Sequence, residues 1–408
     1  MILVPELQPS ATSATSITTD SLRHLVIVSA LSLSPGLKPS ETPATETATD
    51  KELLALSTTT RLRRSIKMSS PSEQTILVTG ANSYVAGHVI RVALEKGYHV
   101  RGTVRSEGST AKVRANFAAY GSKLTFGIVP DITKPELYEA GFADPTTPIT
   151  GVINVAAPFV LKSDDNRRDL LDPAVGGARA ILEATKRYGP NVRRVVNTSS
   201  FAAIVDLSQG YRPGYTYTEA DWNPMTYDQA ATADAVSAYC ASKGLAERAM
   251  WDWIAAEKPR FSLATINPPW VFGPHVGGVA DTKHLNESSN LLYQLLGAKE
   301  VPAIDFAGFA DVRVVADAHI AAFEKEEAGG ERFLVGTHFD YQSAVDEVRV
   351  AIPELDSRLP AGVPGAGKTA EVYAVDGSKA ERVLGIKYIS IRDSMKDSFA
   401  QLLEAEKR

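Results

Sequence analysis

Tyr239 and Lys243 stand four residues apart in Tyr239-Cys240-Ala241-Ser242-Lys243, at the start of a stretch whose apolar positions Leu245, Ala249, Trp253 and Ile254 follow helical spacing. On a helix that spacing puts both side chains on one face, one turn apart. The chemistry open to such a pair is proton transfer. A phenol titrates near about 10 in water and is a poor proton shuttle at neutral pH. A neighbouring ammonium stabilises its anion and brings it into a useful range.

This spacing also arises by chance on helix surfaces, so the residues upstream matter. Val195-Val196-Asn197-Thr198 is an apolar run that ends in Ser199-Ser200. In a parallel sheet that end faces the ligand edge, where one serine hydroxyl could hold a carbonyl oxygen and the other would cap the strand end. A second group of candidates lies in Thr79-Gly80-Ala81-Asn82-Ser83-Tyr84-Val85-Ala86, between Ile76-Leu77-Val78 and a helical pattern. In a dinucleotide fingerprint the first Gly makes the turn, the middle one admits the pyrophosphate and the last small residue lets helix pack on strand. Gly80 and Ala86 fit, whereas Ser83 occupies the middle position and could bond the phosphate through its hydroxyl. Gly80, Ser83, Tyr84 and Val85 are therefore candidate cofactor contacts.

The second strand decides the cofactor. NAD enzymes usually end it in an acid that bonds the ribose 2′-hydroxyl. Here Val100-Arg101-Gly102-Thr103-Val104-Arg105-Ser106 carries no acid and ends in Arg105. A guanidinium there suits a 2′-phosphate, which favours NADP, with Lys112 as a second charge. Asp131-Ile132, after the third strand, is placed to bond the adenine amino group.

The elements that must position these residues read as alternating strand and helix. Apolar runs at Thr75–Thr79, Tyr98–Val104, Leu124–Val129, Gly151–Val155, Val192–Thr198 and Phe261–Asn267 are separated by helical patterns such as Val85–Lys96, Pro173–Tyr188 and Ala238–Ala256. That alternation predicts an α/β fold, a Rossmann-type doubly wound parallel sheet over residues 73–267. After Pro268 it loosens into Pro- and Gly-rich connections. We expect residues 268–408 to form mainly a smaller substrate-binding lobe, with segments returning to the first domain.

Composition excludes other classes. The 408 residues carry 43 basic and 48 acidic side chains, net −5, against the basic face that a nucleic-acid binder needs. The single cysteine, Cys240, rules out an internal disulfide framework, and the histidines show no metal-ligand spacing. No apolar run approaches the ~20 residues that span a bilayer. A soluble protein in a reducing compartment, the cytoplasm, is expected. The first 67 residues hold 21 Ser or Thr, one Gly and no aromatic, a composition that predicts disorder. Six acids (Glu6, Asp20, Glu41, Glu46, Asp50 and Glu52) argue against a transit peptide, so a functional chain starting at Met68 is the favoured expectation.

The chain resembles the extended short-chain dehydrogenase/reductases, in particular the fungal methylglyoxal/isovaleraldehyde reductases related to plant dihydroflavonol reductases. The matching pieces include Val78-Thr79-Gly80-Ala81-Asn82, Ile128-Val129-Pro130-Asp131-Ile132, Ala156-Ala157-Pro158-Phe159 and Thr198-Ser199-Ser200-Phe201-Ala202-Ala203. They continue with Ala238-Tyr239-Cys240-Ala241-Ser242-Lys243, Asn267-Pro268, Val271-Phe272-Gly273-Pro274, Lys283-His284-Leu285-Asn286 and Asp311-Val312-Arg313.

The resemblance implies an NADPH-dependent aldehyde or ketone reductase with Ser200, rather than Ser199, holding the carbonyl. Tyr239 would be the proton donor, and Lys243 would bind the nicotinamide ribose while lowering the tyrosine pKa. Ala156 and Ala157 would line the cofactor, and Pro268, Val271 and Ser288 would flank its nicotinamide. Phe159, Phe201, Val205, Val236 and Trp270 would line the substrate pocket, with the loop Tyr211–Tyr227 shaping its entrance. Asp311, Arg313 and His319 read as scaffold. The implied partner is a small carbonyl compound, not nucleic acid, membrane or metal, and the implied state is monomer or homodimer. Two alternatives remain: a sugar-nucleotide epimerase or dehydratase that retains its cofactor, and a non-catalytic NADP-sensing regulator.

Overall fold

The computed structural model describes residues 70–143, 145–158 and 163–408. The expected disordered extension, residues 1–67, and the pocket candidate Phe159 lie outside the described residues. In chain order the first part runs β1 (Thr75–Val78), α1 (Tyr84–Glu95), β2 (His99–Val104), β3 (Leu124–Ile128), β4 (Ile149–Asn154), α2 (Asp172–Tyr188), β5 (Arg194–Thr198), α3 (Ala235–Glu257) and β6 (Ser262–Asn267). The second part adds β7 (Trp270–Phe272), α4 (Glu287–Gln294), β8 (Gly308–Asp311), α5 (Val312–Glu324), β9 (Arg332–Leu334), β10 (Thr337–His338), α6 (Tyr341–Ala351) and α7 (Ile391–Glu406).

The central sheet has seven strands in the order β9-β6-β5-β4-β1-β2-β3. Every neighbouring pair is parallel. Strands buried on both faces explain the near-continuous apolar runs. Side-chain alternation sorts β1 between two layers: Ile76 and Val78 pack with α1 and α5, and Leu77 packs with α2 and α3. Gly151 in β4 is required by the approach of α5, since a Cβ there would sit 2.2 Å from the Phe323 ring. The strand order reverses between β1 and β4, the switch point where such sheets bind ligands.

The pattern after Pro268 hides a second sheet. β7 pairs parallel with β8, and β8 pairs antiparallel with β10. Phe272, Phe309, Phe339, Val345, Met395 and Phe399 build a core between this sheet and α4, α6 and α7. Strands of two to four residues are too short to show a period in sequence. β9 returns to the central sheet, and the described residues fall within one compact unit, Ser69–Arg408. Among them no helix is long and apolar enough to cross a membrane.

Boundaries shift where local polar contacts intervene. α3 begins three residues before the expected Ala238 because the Asp234 carboxylate accepts from the amides of Val236 and Ser237. Val192 belongs to a turn, its amide donating to the Gly189 carbonyl, so β5 starts at Arg194.

Candidate active site

A buried polar ladder fixes the C-terminal ends of the central strands. The Thr79 hydroxyl donates to Asn154 Oδ1 (2.7 Å) and accepts from the amides of Val155 (3.0 Å) and Ala156 (2.9 Å). Asn154 Nδ2 in turn donates to Asn197 Oδ1 (2.8 Å). Over this edge the chain turns at Gly80, whose φ of +63° suits glycine, and a Cβ there would stand 3.2 Å from Ala156. Ser83 is the N-cap of α1, yet its side chain makes no capping bond. The helix amides thus face the edge without a side-chain acceptor, the arrangement that receives a phosphate.

The other cofactor candidates divide. Arg105 directly follows β2, is exposed, and has no ion-pair or hydrogen-bond partner among the described residues. Lys112, also exposed, is near enough for its charge to act on His275, which burial above all holds down to about 4. Tyr84 does not point at open space. Its hydroxyl donates to the Gly273 carbonyl (2.7 Å) and its ring packs 4.5 Å from that of His275. With His88 bonding the Pro274 carbonyl (2.8 Å), it clips the segment after β7 onto α1. Val85 packs on the core of the α1 layer, and Ile132 on that of the α2 layer. Asp131 accepts from the amide and hydroxyl of Thr133, which hold its carboxyl below the usual range. Ala156, Ala157, Pro158, Thr198, Ser199 and Lys243 share the wall of one pocket above the strand ends.

Ser199 and Ser200 separate cleanly. Ser199 Oγ donates to the buried Glu247 carboxylate (2.5 Å). Ser200 heads a short turn, Phe201–Ala203, and its Oγ accepts from the Ala202 amide (3.1 Å), which leaves the hydroxyl proton to donate elsewhere. This turn meets α3 at Gly244, next to Lys243, where a Cβ would lie 3.8 Å from Ala203. The structure therefore brings Ser200, Tyr239 and Lys243 onto two elements in direct contact.

Tyr239 and Lys243 each keep part of their surface open but are ringed by protein. Burial pushes the Tyr239 phenol up, against the expected lowering by lysine. The physical cause is desolvation of the phenol itself, and burial likewise brings Lys243 down to about 8. Lys243 Nζ lies 3.5 Å from the Pro158 carbonyl. Between the two, Cys240 is wholly buried, and its thiol is pushed up to about 12.

The pocket candidates are only partly at a surface. Phe201 and Val205 are 0% exposed, in a cluster with Ile204, Tyr217 and Tyr373, so they act as core here rather than as pocket wall. Aromatic edges from Tyr217 (5.6 Å) and Phe306 (6.2 Å) close around the Phe201 ring. Trp270 is half-buried, with Nε1 donating to Asp305 Oδ1 (2.9 Å), and Val236 is half-buried in the first turn of α3. Pro268 is buried, its carbonyl accepting from the Phe201 amide (2.8 Å). Val271 in β7 and Ser288 in α4 are half-buried. In the expected loop, Thr216–Tyr217 is a short strand paired with Ala374–Val375, and Tyr227–Ala231 is a helical turn.

The family model described as NAD dependent epimerase/dehydratase family matches residues 76–336. The chain belongs to that family. It is 34% identical over 342 residues to the NADPH-dependent methylglyoxal reductase GRE2 of Saccharomyces cerevisiae, covering 82% of this chain and 99% of that one. It is likewise 34% identical to the ketoreductase azaE of Aspergillus niger, over 81% of this chain and 97% of that one. Its structure matches that of yeast methylglyoxal/isovaleraldehyde reductase Gre2 complexed with NADPH with a TM-score of 0.76, covering 81% and 98% of the two chains.

Two polar residues of this family member escaped the sequence reading. Glu247 receives Ser199, and Asp305 receives Trp270 Nε1, the Tyr341 hydroxyl (2.9 Å) and the Phe306 amide (2.5 Å). Glu247 had a signal, an acid one turn beyond Lys243 on the same helix face; Asp305, in a loop, had none. The scaffold residues pair as expected of scaffold: Arg313 bonds both oxygens of Asp311, and His319 Nε2 lies 2.7 Å from Thr198 Oγ1.

Proposed function

We propose that this protein reduces a small aldehyde or ketone to an alcohol with NADPH, with Ser200, Tyr239 and Lys243 at the reacting carbonyl. The observation that carries the reading is the contact between the Ser200 turn and the helix bearing Tyr239 and Lys243, at the edge where Gly80 turns the chain. The names of the relatives support the same reaction class.

The residues present fit the dinucleotide: a glycine turn without a Cβ, helix amides without a side-chain cap, and an unpaired guanidinium after β2. Arg105 takes the 2′-phosphate, which an NAD-type acid would repel, with Lys112 as a second charge. When bound, NADPH supplies the hydride that reaches the carbonyl carbon.

The chain does the rest. Ser200 donates its spare hydroxyl proton to the carbonyl oxygen and stabilises the charge that develops there. Tyr239, kept protonated at neutral pH by burial, passes its proton to that oxygen. Lys243, still largely cationic at pH 7, holds the ribose hydroxyls. Trp270 and Val236 border the substrate. The reading is of a cytoplasmic enzyme, monomeric or homodimeric, acting on free small molecules.

NADPH oxidation measured across a panel of aldehydes and ketones, with chiral analysis of the alcohols, tests this. Steady consumption of NADPH with formation of an alcohol is expected. Binding of NADPH without turnover of any carbonyl would mark a sensor instead, and interconversion of a sugar nucleotide without net NADPH consumption would mark an epimerase.

A further inference from the structure

Glu247 follows Lys243 by one helical turn and so continues the face of α3 that carries Tyr239 and Lys243. It is 1% exposed. A carboxylate this deep is costly unless paired and fully hydrogen-bonded. Donors from five residues converge on it. Oε2 accepts from Ser199 Oγ (2.5 Å) and Asn267 Nδ2 (2.6 Å). Oε1 accepts from Thr265 Oγ1 (3.0 Å), Trp251 Nε1 (3.2 Å) and Arg332 Nε (2.6 Å).

These partners come from separate parts of the fold. Ser199 directly follows β5, Thr265 and Asn267 lie in β6, and Arg332 begins β9. Asn267 Nδ2 also donates to the Ser200 carbonyl (3.2 Å), so one amide links Glu247 to the backbone of the carbonyl-holding serine. Arg332 extends the connection outward. Its Nη1 donates to the carbonyls of Glu219 and Asp221, and its guanidinium lies 3.5 Å over the Trp222 ring. That segment continues the tyrosine-rich loop at 211–217. A buried ion pair of this kind often adds little to stability compared with an apolar replacement, whereas its directional bonds fix three elements at one point.

We propose that Glu247 is a positioning residue for the carbonyl reduction. It sets the Ser200 turn against the helix of Tyr239 and Lys243, and through Arg332 it holds the 219–222 segment of the loop expected to shape the pocket entrance. The proposal rests on the roles assigned above to Ser200 and Tyr239. It names an acid that touches neither substrate nor cofactor and acts through its neighbours.

The test compares Glu247→Gln, Ser199→Ala and Arg332→Lys with the wild-type enzyme, using Tyr239→Phe as control. Glu247→Gln places an amide where two donors already point. Its kcat is expected to fall about tenfold to hundredfold, the scale of small misplacements at a reacting centre. NADPH affinity by fluorescence titration should stay within about twofold, because the glycine turn is untouched. The isotope effect with NADPH deuterated at the transferred position should rise as chemistry becomes limiting. Ser199→Ala, which leaves the ion pair intact, should lower kcat about threefold to tenfold. Arg332→Lys keeps a cation but cannot span to both carbonyls; carbonyl KM should rise with kcat within about twofold.

A purely structural role would lower the melting temperature and leave kcat unchanged well below it. If Glu247→Gln and Ser199→Ala both keep near-normal kcat there while Tyr239→Phe loses it, the positioning role is overturned. If Glu247→Gln does not fold, Ser199→Ala decides alone. An unchanged KM in Arg332→Lys overturns the outward link. Near-normal turnover by Tyr239→Phe would instead overturn the underlying reading.

Discussion

Lys243 Nζ lies 5.2 Å from the centre of the Tyr239 ring, and burial drives the two groups in opposite senses, the phenol up and the ammonium down to about 8. At neutral pH both therefore carry their protons. The phenol starts each reduction with a proton to give, and the phenolate it leaves must be reprotonated from solvent before the next.

The alkaline limb of activity should consequently belong to the lysine. kcat/KM for NADPH, which reports groups in the free enzyme, should decline with an apparent pKa of about 8 as Lys243 loses its charge, while Tyr239 stays protonated. Lys243→Arg should move that limb out of the accessible range, because a guanidinium does not deprotonate there. Stability carries the matching sign. The folded value of about 8 lies below the ordinary 10.5, so the unfolded chain holds this proton more tightly. Stability should rise between those two pH values relative to Lys243→Met, as read from denaturant midpoints.

Tyr239→Phe removes the proposed proton donor. Turnover should fall by about 100-fold or more, in line with lost general-acid catalysis, while NADPH binding followed by fluorescence stays close to normal.

Arg105→Ala should weaken NADPH by roughly tenfold to hundredfold, as for the loss of a charge-assisted contact, with NADH hardly affected. The ratio of kcat/KM for the two cofactors measures this. An unchanged ratio would remove Arg105 from the 2′-phosphate site.

What could be read from the chain is what lies close together along it. Tyr239 and Lys243 meet on one helix turn, and the glycine turn is contiguous, so spacing alone exposes both. The parallel sheet shows in the same way, because strands buried on both sides must be apolar throughout. Glu247 and Arg332, in contrast, are joined across 85 positions, and no local pattern announces a pairing of that kind. The β7, β8 and β10 sheet is hidden for a related reason: its short strands are held by aromatic packing with α4, α6 and α7 rather than by their own periodicity. The upward shift of Tyr239 is not legible in sequence because a helical register reports neighbours but not solvent, and burial of the phenol dominates its shift here.

Phe201 illustrates the same limit, since a large aromatic beside the candidate serine Ser200 reads equally as pocket wall or core. With no exposed surface and its ring enclosed by Tyr217, Phe306 and Tyr373, it should behave as core. Phe201→Leu should cost roughly 1–3 kcal/mol in denaturant unfolding. Carbonyl KM should not change selectively with substrate size, whereas a size-dependent KM would restore it to the pocket.

Cys240 carries a practical consequence. The chain's single thiol sits one residue from Tyr239, with no surface open and its anion strongly disfavoured. An alkylating reagent can therefore reach it only in molecules in which the packing around α3 has momentarily opened. The labelling rate becomes a clock for that excursion, and bound dinucleotide, by favouring the closed form, should slow it in proportion to its saturation.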